Sequence, residues 1–120
     1  MSSSTTTNTS LPAPVILEAT SGTTGIDIIE VDKLGISGAT LEIQTSNGVK
    51  SGDRVRAWSS GNGVIIIDEI KTVESGANPL TFSIAKEKLK KGNYPTFFYL
   101  LLNDKDELIA VSDAVPYSIV

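Results

Sequence analysis

Asp53, Asp68 and Glu69 stand beside expected strand ends, and of all residues in this chain they have the best claim to acid–base work. A glycosidase-type pair needs two carboxyl groups facing each other across a set gap. Asp68 and Glu69 are neighbours on one strand, so alternation sends them to opposite faces and they cannot be partners. Asn103-Asp104-Lys105-Asp106-Glu107 offers oxygens of the kind Ca²⁺ takes. Three carboxylates with a lysine among them fall short of the roughly 6–8 ligands such a site needs, and the run reads as a solvated hairpin. Lys86, Lys88, Lys90 and Lys91 gather around Glu87. In an acidic chain they read as an exposed, solubilising corner, with an anionic surface as the sharper alternative. Arg54, Arg56 and Trp58 share one strand parity, and Val55 and Ala57 take the other. If the small apolar residues face inward, Trp58 lies outside beside two guanidinium groups. Such a stripe can stack on a sugar ring or on a partner's aromatic. The plainer reading packs Trp58 over the Arg stems, or turns it inward through a bulge.

Other chemistries are excluded outright. The chain has no His and no Cys. Ser-His-Asp and Cys-His catalysis and the usual zinc sites therefore fall away, and so do disulfides. No catalytic residue, cofactor or metal is assigned, and the chain is not expected to be an enzyme. A net charge of −4 argues against nucleic acid, because phosphate binding needs a basic excess. No apolar run approaches the roughly 20 residues of a membrane-spanning helix, so membrane insertion is not expected.

The elements that would position these residues are β throughout. At 120 residues the chain is one domain's worth and can bury a core without staples. Residues 1–10, Ser- and Thr-rich, read as a disordered leader dispensable for folding. They lack the basic and apolar regions of a signal peptide, which leaves the cytoplasm or export by a non-classical route. Residues 11–120 read as one domain. Strands are expected at 15–19, 26–31, 38–45, 54–59, 64–73, 80–84, 94–102 and 108–120, with single helical turns near 32–37 and 85–91. Turn signals separate them at Ser46-Asn47-Gly48, Gly52-Asp53 and Gly61-Asn62-Gly63. Strands at about 8–12-residue spacing make the sandwich pattern.

Leu89-x-x-Gly92-x-Tyr94, opening the apolar stretch Thr96 to Leu102, resembles the tyrosine corner of immunoglobulin-like sandwiches. In that corner a Tyr hydroxyl pins a loop to the backbone upstream. Further motifs read Leu11 to Ile16, Gly52-Asp53 with Trp58, Phe82-Ser83-Ile84, and Ser112 through Tyr117 to Ile119. Together they resemble the bacterial immunoglobulin-like repeats of surface and secreted proteins of pseudomonads and related bacteria. The resemblance implies an all-β, immunoglobulin-like antiparallel β-sandwich of seven to eight strands. It also implies a spacer, adhesion or binding unit, with Leu89, Gly92 and Tyr94 as structural residues.

Phe97 to Leu102 is apolar on both parities, where a sandwich strand ordinarily buries one face. Ile65 and Ile67, opposite in parity to Ile66, repeat the pattern. Ile65, Ile67, Phe97, Tyr99 and Leu101 are the candidate interface set. Coverage by the chain's own loops is the alternative. The expected function is a non-catalytic interaction module, a homo-oligomer or part of a larger protein assembly. The alternative is a small carbohydrate-binding module that takes a glycan through Arg54, Arg56, Trp58 and loop residues.

Overall fold

The computed structural model describes residues 11–45, 49–76 and 78–120. The expected leader and the Ser46-Asn47-Gly48 turn lie outside the described residues. The fold is all-β, with two sheets packed face to face. Among the described residues there are nine strands: β1 (Val15–Ile16), β2 (Asp27–Ile29), β3 (Ala39–Ile43), β4 (Arg54–Ser60), β5 (Asp68–Thr72), β6 (Leu80–Ile84), β7 (Thr96–Leu102), β8 (Leu108–Val111) and β9 (Val115–Ile119). Single turns of 3-10 helix at Val31–Lys33 and Lys86–Lys88 fill the two places where helical turns were expected.

The smaller sheet has the order β1-β3-β6, and the larger one β2-β9-β7-β4-β5 with β8 also on β7. The pairing is antiparallel except that β2 lies parallel to β9. Alternation decides what each strand buries. Ala39, Leu41 and Ile43 on β3 and Leu80, Phe82 and Ile84 on β6 point inward. They face Val55 and Ala57 on β4, Phe97, Tyr99 and Leu101 on β7, and Tyr117 and Ile119 on β9. Each of these side chains contributes roughly 1.5–3 kcal/mol if large and apolar.

Two buried serines explain where the strands break. The Ser59 Oγ accepts the Ile67 N–H at 3.2 Å while the Ser59 N–H donates to the Ile67 carbonyl at 3.1 Å. A side chain thus stands in for a ladder partner, and the expected strand 64–73 narrows to β5. Ser112 does the same at the end of the fold. Its Oγ accepts the Tyr99 N–H at 2.9 Å and donates to the Asp113 carbonyl at 2.9 Å. The last expected strand consequently splits into β8 and β9. Ser112→Ala is expected to orphan the buried Tyr99 N–H and cost about 1–3 kcal/mol in denaturant unfolding.

Candidate functional site

The outer face of the larger sheet collects most of the candidate residues. On β4, Arg54, Arg56 and Trp58 point away from the core, because Val55 and Ala57 are fully buried on the other side. Register then fixes their neighbours. Trp58 lies opposite Phe98, Arg56 opposite Leu100 and Arg54 opposite Leu102 on β7. On the other side β5 brings Asp68 to Trp58 and Ile70 to Arg56. Beyond β7, Val111 and Leu108 of β8 continue the rows of Leu100 and Leu102.

This corrects the candidate interface set. Phe97, Tyr99 and Leu101 are buried, as is Ile67. The parity is set by Val55 and Ala57, which pair with Leu101 and Tyr99 and pull them inward. The outward set is Phe98, Leu100 and Leu102, all half-buried. Of the original set only Ile65 is exposed, in the loop before β5.

The charges on this face are paired. The Arg56 guanidinium donates to both Asp68 oxygens, at 2.7 and 2.8 Å, and sits 4.9 Å from the Trp58 ring centroid. Hydrogen bonding to Arg56, reinforced by its charge, holds the Asp68 carboxyl below the usual carboxylate range. Arg54 donates to both oxygens of Asp106 at 2.8 and 2.9 Å. The face is therefore apolar along β7 and β8, with two clasped ion pairs on its β4 side.

The remaining candidates are separated. The Asp53 carboxylate accepts the Lys50 N–H at 2.9 Å and closes its own turn. Asp68 is committed to Arg56, and Glu69 projects to the other side of β5. In the 103–107 hairpin, the Asn103 side-chain oxygen accepts the N–H groups of Lys105 and Glu107, both at 2.9 Å. Of the lysines, Lys91 pairs with Asp32 at 2.8 Å and Lys86 donates to the Leu34 carbonyl at 3.2 Å, so the cluster ties two loops together. A depression of about 220 Å³ lined by Thr45, Val49, Ser51, Val73, Glu74 and Asn78 is smaller than the ~300 Å³ at which small-molecule sites begin.

The structural motif also needs correction. Tyr94 is 61% exposed, and among the described residues its hydroxyl has no partner, while its backbone N–H donates to Asn62 Oδ1 at 2.9 Å. The Tyr94 peptide is held by the turn instead. A Cβ on Gly61 would come within 2.8 Å of Pro95 Cα, so this close approach needs glycine. Leu89 is buried, and Gly92 at φ +94° sends its N–H to the Ile119 carbonyl at 2.7 Å. The pinning tyrosine is Tyr117, whose buried hydroxyl oxygen accepts the Ile16 N–H at 3.0 Å and ties β9 to β1 across the sandwich. The alternation of Val115, Tyr117 and Ile119 against Pro116 and Ser118 carries the signal for it.

Burial pushes the Tyr99 and Tyr117 phenols above the ordinary tyrosine range. The folded state thus favours their neutral forms. Their stabilisation is complete below the ordinary value near about 10 and is lost as pH rises through the folded values. Ionisation of these two is expected to appear late in an alkaline absorbance titration and to coincide with loss of β circular dichroism. Ionisation in the ordinary range with the fold intact would contradict their burial.

No protein-family model matches the chain, and no curated protein or solved structure matches it. No helix among the described residues is long and apolar enough to cross a membrane.

Proposed function

We propose that this chain is a non-catalytic protein-association module, an immunoglobulin-like sandwich that docks on a second copy of itself through the outer face of its larger sheet. The observation that carries the reading is the apolar surface of Trp58, Phe98, Leu100, Leu102, Val111 and Leu108 on one sheet face, with Ile70 beyond Arg56. Four strands spaced about 4.8 Å and up to about 23 Å long give a flat footprint of at most roughly 440 Å², below the roughly 800 Å² per partner of a standard interface and in the range of a weak, concentration-dependent one. Its two arginines are balanced by Asp68 and Asp106. A copy can therefore meet a copy there without the repulsion that a net charge of −4 imposes elsewhere. The immunoglobulin-like assignment draws support from the sheet orders and from β2 lying parallel to β9.

The carbohydrate alternative is less well supported. Arg56, clasped by Asp68, already occupies one face of the Trp58 ring. The apolar area is broad rather than confined to one aromatic, which favours a protein partner. Light scattering across concentration is the test, with a glycan array beside it. Association that Phe98→Glu weakens supports the reading. A wild type that stays monomeric at high concentration and binds a glycan through Trp58 overturns it.

A further inference from the structure

We infer that β8 is a pairing edge and that its occupant is β8 of a second copy, laid antiparallel across a two-fold axis. This rests on the association reading and adds a second contact to it. An edge strand presents unpaired backbone groups that invite another strand, and proteins blunt such edges with charge, proline or shortness. The other edges are blunted. β5 carries Asp68, Glu69 and Lys71, and Lys71 reaches over Phe82 to the Thr81 carbonyl, closing that side against β6. β1 has two residues, and β2 has three with Asp27 among them.

β8 carries no charge and no proline, and its ladder on β7 shifts register once, between Leu101 and Leu102. It reads Leu108-Ile109-Ala110-Val111, with Leu108, Ile109 and Val111 exposed at 60, 51 and 45%. Among the described residues its outer side is engaged at one end alone. There Leu11 bridges Ser112 in parallel and its carbonyl accepts the Asp113 N–H at 2.9 Å. The Ser112 N–H points inward to the Tyr99 carbonyl, so alternation turns the N–H of Val111 outward, with its carbonyl on the side that Leu11 takes.

The occupant follows from the strand's self-complementarity. A neutral strand laid antiparallel on itself brings no like charges together across the axis. The contact is isologous. It joins two larger sheets into one and sets each copy's Val111 and Leu108 beside the other's, continuing the outer apolar face. Pairing four residues buries less than the roughly 1,200 Å² of a standard complex, so this step belongs to high concentration. With the face contact on a second two-fold axis, the copies form an open chain.

The test is the mass distribution across concentration for wild type, Ile109→Lys, Val111→Pro and Phe98→Glu, with amide exchange read at Val111. Ile109→Lys puts like charges across the axis, and Val111→Pro removes the outward donor. Each is expected to weaken one association step by roughly tenfold or more. Phe98→Glu is expected to leave that step in place, and Val111 exchange is expected to slow as wild type is concentrated. If both edge variants associate as wild type does, the edge inference is overturned and the face reading stands. If Phe98→Glu changes nothing while the edge variants lose association, the edge inference stands and the face reading falls. A Val111 amide already protected in dilute monomer would mean that the chain's own residues before Leu11 hold the edge, which also overturns it. Wild type monomeric throughout overturns both.

Discussion

Phe97→Glu is expected not to fold, whereas Phe98→Glu, one residue along the same strand, folds and loses association through the outer face. Phe97 is fully buried, and its ring meets Tyr117 edge-on with centroids 5.6 Å apart. Removing such a ring costs about 3–5 kcal/mol. An unpaired carboxylate in its place adds several kcal/mol more, because its neighbours Ser59, Val115 and Tyr117 offer no positive charge. Together these rival the roughly 5–15 kcal/mol that holds a domain together. Phe98 points the other way, half-buried beside Trp58. A glutamate there keeps its charge in water while the chain is alone, and the proposed docking of a copy would strip that water away. Circular dichroism and thermal melts read the first outcome, and light scattering reads the second. A folded Phe97→Glu with an unfolded Phe98→Glu would reverse the inward and outward assignment of the whole sheet, and with it the association surface.

The sandwich class was legible because turn residues recur at strand spacing and β3, β4 and β6 alternate cleanly. The face of β7 was not, since both of its parities are apolar and periodicity alone cannot choose between them. The choice comes from register. Val55 and Ala57 on β4 have small side chains that must face the core, and their pairing with Leu101 and Tyr99 carries β7 with them. The splitting of the last strand was hidden for a different reason. It depends on one hydroxyl, that of Ser112, bonding a backbone N–H from another strand. The Arg54, Arg56 and Trp58 stripe was legible by parity, but its ion pairs were not. They join residues 52 and 12 apart in sequence, which only the folded hairpins bring together.

Tyr117→Phe is expected to destabilise the protein by about 1–3 kcal/mol, and Tyr94→Phe to leave the denaturant midpoint close to wild type. Both substitutions delete one oxygen, and the difference lies in what that oxygen was doing. At Tyr117 it accepts the Ile16 N–H, which is buried 101 residues away in sequence. Without it the donor faces apolar surroundings and has lost its water as well as its partner. The phenyl ring itself stays, so packing against Phe97 is retained and the loss reports the hydrogen bond alone. At Tyr94 the hydroxyl stands in solvent, and water replaces it freely. β1 has two residues in its ladder on β3, so the Tyr117 clasp is a large share of what holds the first strand. Exchange of the Ile16 amide should therefore accelerate more than global stability falls. Equal effects of the two substitutions would show that the tie between β9 and β1 is not made by Tyr117.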